Sequence, residues 1–433
     1  MKFTSTRGQS GELDFSAALS AGLAPDGGLF VPRHLPVLEP EDFDGLYSLA
    51  DIATRLLSPF LAQDVLGEQL PEICAQAFDF ATPLVPFTDE QTYLLELFHG
   101  PTAAFKDIGA RFLAECVGRL ARRSGDTVTI LVATSGDTGA AVAAAFHRMP
   151  GVRVVVLYPD GRVSPRQAHQ LGCFGDNVSS FAVQGSFDDC QAMAKQALAD
   201  PALHRELRLT SANSISLGRL LPQMLYYAQA SLAHHLQFGN PLNFVVPTGN
   251  LGNAMAAALA RVMGLPIGRI FLSSNANSVL PEFFAGAPYR PRASIRTLAN
   301  AMDVGAPSNF ERLQWLFPDQ VQLRATFDAR STDDAAIADT IASTWLCHGK
   351  AICPHTATAV HALEQLRPED RTGHWAVVAT AHPAKFETVV EPLIGCRVEL
   401  PPALERMLAR PARAEQMDAD FAELRVRLRR LPA

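Results

Sequence analysis

Lysine is the scarce residue in this chain. Of 37 basic residues in 433, five are lysine (Lys2, Lys106, Lys195, Lys350 and Lys385) and the other 32 are arginine. Arginine supplies surface charge but never a neutral amine, so the setting of each lysine carries weight. Basic residues are also outnumbered by 44 acidic ones, and the net charge of −7 argues against a polyanion binder, so no nucleic-acid partner is expected. Apolar runs stay short of the roughly 18 residues that cross a bilayer, so no membrane partner is expected either. The segment Met1–Ser10 is polar and lacks the apolar stretch of a secretory leader. The seven cysteines form an odd, scattered set, six of them inside apolar or helical patterns that suit packed, reduced thiols. Together these features lead us to expect a cytoplasmic protein.

What is present is a composition of 48% apolar residues, enough for sizeable cores and incompatible with a disordered or fibrous chain. A Gly/Pro-punctuated stretch from Gly22 to Pro32, followed by helical periodicity from Phe43 to Phe78, predicts a small, mainly helical N-terminal unit. From Thr92 onward, short β-branched runs alternate with alanine-rich amphipathic stretches. Examples are Thr127–Ala133 before Gly139–His147, Phe244–Pro247 before Asn253–Met263, and Trp375–Ala379 before Ala384–Val390. Such alternation predicts α/β layers with mostly parallel sheets. The tail, with Arg425, Arg427, Arg429 and Arg430 on a helical pattern, reads as a solvated terminal helix.

Two glycine loops stand between a strand and a helix, where unpaired N–H groups and the helix dipole converge on an anion. The first is Ala133-Thr-Ser-Gly-Asp-Thr-Gly139 and the second Pro247-Thr-Gly-Asn-Leu-Gly-Asn253. Neither spells the dinucleotide fingerprint or a nucleoside-triphosphate loop. Either loop alone is equally well a tight turn; two in one chain fit a site for two anionic groups. A third feature is Phe98-His-Gly-Pro-Thr-Ala-Ala-Phe-Lys-Asp107, which leads into a helix. Lys106 shares its stripe with Gly109, Ala110, Leu113 and Val117, while Asp107 has Arg111 four positions on as its natural partner. A lysine on an apolar face with no local counter-ion is either a deprotonated nucleophile or a side chain that snorkels to water, and the local pattern leaves both open. Cys347, His348, Cys353 and His355 offer four possible metal ligands in nine residues, but not in a usual structural zinc spacing, so no metal is expected.

These motifs together resemble the threonine synthase family. The landmarks are Gly22–Pro32, Glu96–Asp107, Thr134–Ala140, Asn213-Ser-Ile215, Val246–Gly252, Pro354-His-Thr-Ala357 and Thr380–Phe386, in order along nearly the whole chain. The resemblance implies a pyridoxal 5'-phosphate enzyme that converts O-phospho-L-homoserine and water into L-threonine and phosphate. It implies that Lys106 carries the cofactor as an aldimine and that Gly249, Asn250, Leu251 and Asn253 cup its phosphate. Thr380 would meet the ring nitrogen, and Asp137 would sit against the cofactor. Thr134, Ser135, Gly136 and Thr138 would receive the substrate carboxylate, with Arg162, Ser164, Asn213 and Arg219 as candidates for its phosphate. The cup commonly reads Gly-Asn-Phe-Gly-Asp, so Leu251 and Asn253 are departures that leave the backbone donors in place.

The implied fold has two open, mostly parallel α/β domains with the cofactor between them. The expected divisions are an N-terminal domain over 1–92, a large domain from 93–108 and 212–395, a smaller one over 109–211, and a tail helix over 396–433. The expected assembly is a monomer or homodimer. Two alternatives remain at this stage: a related β-replacement enzyme or serine/threonine dehydratase, and a non-catalytic metabolite-binding homologue, against which an intact Lys106 speaks.

Overall fold

The computed structural model describes residues 1–431. The N-terminal unit pairs Phe3–Ser5 antiparallel with Phe30–Pro32 and adds the helices Phe15–Ala21, Leu49–Leu61 and Leu70–Ala77. Leu49–Leu61 starts where the Ser48 side chain accepts the Asp51 N–H, and its buried residues Ile52, Leu56, Leu57 and Phe60 recur every three or four positions. That stripe packs against Leu70–Ala77 and the long helix Met224–Phe238.

Six strands form the large sheet in the spatial order Phe327–Ser331, Ile267–Ser274, Leu242–Pro247, Trp375–Ala379, Thr92–Glu96, Leu84–Pro86. All neighbours are parallel except the last pair. Buried on both faces, the central strands are continuous apolar runs such as Trp-Ala-Val-Val-Ala from 375 to 379. A second, wholly parallel sheet has the order Glu415–Asp418, Val178–Gln184, Val152–Pro159, Val128–Ala133, Leu209–Ser211.

Two expectations about chain division change. Leu84–Pro86, assigned from sequence to the N-terminal unit, is the antiparallel edge of the large sheet. The C-terminal segment is more than a tail helix: helix Pro402–Leu408 leads to the edge strand Glu415–Asp418, and helix Phe421–Arg429 docks Leu424 and Leu428, both fully buried, on the smaller domain. Arg427 and Arg429 stay at the surface but are held by Glu415, Glu423 and Glu206.

Candidate active site

The parallel strands of both sheets aim their C-terminal ends at one cavity of about 750 Å³, the usual ligand position in open α/β sheets. After strand Thr92–Glu96 the chain turns through Gly100–Ala103 and enters the helix Lys106–Ser124. A Cβ on Gly100 would lie 2.6 Å from Asp107 Oδ2, so glycine is what lets this turn close. The buried Asp107 carboxylate accepts the Thr102 N–H at 2.8 Å and its hydroxyl at 2.7 Å, and burial pushes its carboxyl up to about 6. Arg111, the partner expected from sequence, instead donates to the carbonyls of Gln76 and Ala77 and pairs with Asp79. These carbonyls end the neighbouring helix and lie on Arg111's side, whereas Asp107 is already satisfied by the turn.

Lys106 does not snorkel. Its Nζ stands 4.3 Å from the centre of the Phe105 ring and faces the cavity. Burial pushes the amine down to about 7, the charge of Arg219 adds to this, and Asp137 partly opposes it.

The two glycine loops bound the same cavity. In the first, Thr134 Oγ1 accepts the N–H groups of Gly136 at 3.0 Å and Gly139 at 2.9 Å, which fixes the loop and leaves Ser135 and Thr138 facing the cavity. Gly136 has φ +135, and a Cβ there would meet Gln167 Nε2 at 2.6 Å. In the second, Leu251 adopts the left-handed conformation, φ 61, immediately before helix Gly252–Val262, whose first N–H groups have no intrahelical acceptor. Gly249 passes so close to the segment Ala301–Val304 that a Cβ would lie 3.0 Å from Met302 Cα. Asn253 Oδ1 accepts the hydroxyls of Tyr226 at 2.5 Å and Tyr227 at 2.7 Å, which leaves its buried Nδ2 without a partner. Asn250 and Thr380 complete this wall.

The residues expected at a substrate phosphate separate into two pairs. Asn213 and Arg219 line the cavity. Arg219 is 1% exposed, spends one N–H on the Ala212 carbonyl at 2.6 Å, and keeps its Nε unpartnered. Gly109 makes room for it, since a Cβ there would lie 3.0 Å from Arg219 Nε. Arg162 and Ser164 do not line the cavity. The chain turns outward at Gly161, φ 65, leaving Arg162 exposed beside Asp189, and Ser164 caps helix Pro165–Gly172 while donating to the Lys385 carbonyl at 2.6 Å.

Two contributors, His355 and Asn300, have no site role in the sequence reading, and Lys385, which the family resemblance implies supports the cofactor-ring end, is found elsewhere. His355 lines the cavity, its Nε2 accepting the Ala301 N–H at 3.1 Å, and burial holds the ring down to about 4 and therefore neutral. The family landmark Pro354–Ala357 contained the signal, but His355 was weighed as a metal ligand. Cys353 instead caps a helix, Cys347 is exposed, and no group of three metal-ligand side chains occurs among the described residues. Lys385, fully buried, reaches Asp137 Oδ1 at 2.8 Å, so Asp137 is engaged by protein as well as lining the cavity. Asn300 bridges from the large domain to Gln167 and the Ser135 carbonyl.

A desolvated amine between two N–H-rich loops at a topological switch defines a pyridoxal-phosphate-dependent enzyme, and residues 78–383 match the family described as "Pyridoxal-phosphate dependent enzyme". Residues 2–78 match "Threonine synthase N terminus" and 356–426 match "Threonine synthase, C-terminal". The chain belongs to the threonine synthase family. It is 39% identical to a threonine synthase of Serratia marcescens, with both chains fully covered. It is 39% identical to that of Escherichia coli, with 98% of each covered. The crystal structure of the E. coli protein superposes with a TM-score of 0.90 over 99% of this chain and 100% of that one, at 38% identity. A pyridoxal-phosphate-bound threonine synthase from Brucella melitensis also gives 0.90, at 33% identity, with both chains fully covered. The residues present fit this cofactor: a glycine loop at a helix N-terminus whose first N–H groups lack intrahelical acceptors, and a lysine amine pushed down to about 7, line one cavity.

Proposed function

We propose that the chain converts O-phospho-L-homoserine and water into L-threonine and phosphate, with Lys106 as the Schiff-base lysine. The observation that carries this reading is the pairing, in one cavity, of half-buried Lys106, whose amine is pushed down to about 7, with Arg219, a fully buried cation that makes no ion pair with a carboxylate among the described residues. A dehydratase of uncharged substrates has no use for the second group, whereas a phosphorylated amino acid needs it.

When bound, pyridoxal phosphate supplies an electron sink that makes carbon acids of the substrate's Cα and Cβ. Gly249, Asn250, Leu251 and Asn253 would hold its phosphate at the start of the helix Gly252–Val262. Thr380, on the cavity wall, would offer the cofactor's ring nitrogen a neutral hydroxyl rather than a carboxylate, which would favour elimination and replacement over transamination. The first glycine loop orients the substrate carboxylate through Ser135, Gly136 and Thr138, with Thr134 bracing the turn. Lys106, near neutrality when free, takes the Cα proton and returns it, and the Cβ proton must leave before phosphate departs from Cγ. Asn213 and Arg219 would hold the departing phosphate, which takes one proton with it. A second proton is delivered to Cγ to make the methyl group, water adds its hydroxyl to Cβ, and the third proton goes back to Cα, so the protons released from Cα, Cβ and water are all placed. The neutral ring of His355 adds no positive charge beside Lys106.

We read the assembly as a monomer or homodimer and the location as the cytoplasm. Borohydride reduction and peptide mass mapping should place the cofactor on Lys106. Phosphate release from O-phosphohomoserine should match threonine formed, one for one. A label on Lys385, or ammonia release from serine without phosphate turnover, refutes the assignment.

A further inference from the structure

Two of the five lysines are tied to one carboxylate: Lys385 bonds it directly, and Lys106 lines the same cavity. Asp137, 5% exposed, opens the helix that follows the first glycine loop, and its charge acts on Lys106. Its Oδ1 is nevertheless occupied by Lys385 Nζ at 2.8 Å and Gln167 Nε2 at 3.0 Å. Lys385 is itself fully buried and donates a second bond, 2.8 Å, to the carbonyl of Thr102. Thr102 belongs to the turn that sets Lys106 and is held from its other side by Asp107. Lys385 thus joins the large domain's Lys106 turn to the smaller domain's substrate loop and takes the carboxylate for itself.

The other charged or titratable groups around Lys106 are Arg219 from helix Leu217–Leu220, His355 from helix Pro354–Glu364, and Asp107 from its own helix. Asp107 is turned away into the Thr102 turn, and His355 is neutral. Asp137 is therefore the carboxylate that could hold Lys106 as an ammonium ion.

We propose that Lys385 is a positioning residue for the chemistry at Lys106: by serving as the counter-ion of Asp137 it denies that carboxylate to Lys106 and keeps the amine available as a free base. This rests on the reading of Lys106 as the Schiff-base lysine. Lys385 touches no substrate in this arrangement and acts through Asp137.

The test compares wild type, Lys385→Met, Lys385→Arg, Asp137→Asn and the Asp137→Asn/Lys385→Met double variant. Two pH midpoints are read: that of the bound cofactor's absorbance in holoprotein, and that of cofactor recapture after its removal. Lys385→Met should raise both by about one pH unit or more, the usual effect of an unshared carboxylate on a neighbouring lysine. Lys385→Arg should stay near wild type, because the cation remains. Asp137→Asn and the double variant should lie at or below it, because the carboxylate is gone. A Lys385→Met midpoint unmoved from wild type, or a double variant shifted as far upward as Lys385→Met, overturns the proposal. Should Lys385→Met not accumulate as folded protein, Asp137→Asn with Lys385→Gln decides, and an upward shift there refutes it. Borohydride labelling of wild type tests Lys106 separately: a label elsewhere sinks the underlying assignment whatever the midpoints do.

Discussion

Replacing Lys106 by methionine should make the cofactor-free protein more stable near neutrality, with an advantage that fades as pH rises. The folded chain holds this amine at about 7 against 10.5 for the unfolded one, so between those values the unfolded state binds more protons. The penalty for keeping Lys106 buried is complete below about pH 7 and is gone above the unfolded value, so wild-type stability climbs with pH through that window. At about 1.4 kcal/mol per pH unit for one proton, wild type should gain up to about 2.7 kcal/mol on Lys106→Met between pH 7 and 9. Because Nζ faces the cavity and not packed protein, water there trims the gain to about 2 kcal/mol. The assay is urea unfolding of both cofactor-free proteins at pH 7, 8 and 9, where titrating groups distant from Lys106 cancel in the difference and His355, which feels its charge, is already neutral. A wild-type-minus-variant difference that stays flat across this range would refute the claim that desolvation holds the amine down.

Gly249→Ala forces a Cβ to within 3.0 Å of Met302 Cα and should weaken cofactor affinity about tenfold by equilibrium titration, with circular dichroism unchanged. Arg219→Met removes a buried cation that, among the described residues, has one side-chain hydrogen bond and no ion-pair partner. The KM for a phosphorylated substrate should rise at least about tenfold, while urea stability holds or increases, since the desolvation cost goes with the charge. Arg312→Met strips the donors from the carbonyls of Phe30 and Ile215 and from Asn309, which itself holds Asn250. It should cost about 2–4 kcal/mol and expose the N-terminal unit to limited proteolysis.

The central strands were legible in the sequence because burial on both faces demands short apolar runs rich in β-branched residues, as from Val128 to Ala133 and from Phe244 to Val246. The glycine loops were legible because such strands must hand over to helices in tight turns. What escaped depends on partners distant in sequence. Glu415–Asp418 has one buried residue, Met417, and becomes a strand because the edge of Val178–Gln184 is there to receive it. Arg111 and Asp107 are correctly spaced for a helix pair, but tertiary acceptors outcompete that geometry for both. Arg162 and Arg219 look alike in sequence, and their fates diverge because one follows an outward turn at Gly161 while the other lies under Gly109. The allocation of Asp137 to Lys385 joins positions far apart in sequence and has no local signature.

The late arrival of Glu415–Asp418 has a consequence for synthesis. While the chain emerges from the ribosome, the hydrogen-bonding edge of Val178–Gln184 lies open until almost the last residues appear, and the large sheet likewise waits for Trp375–Ala379 to separate Thr92–Glu96 from Leu242–Pro247. At about 5–20 residues per second that delay is on the order of tens of seconds. A bare parallel edge is a template for intermolecular pairing, so a nascent or truncated chain ending before residue 415 carries an aggregation hazard that the finished protein blunts by covering that edge with a short, charged strand.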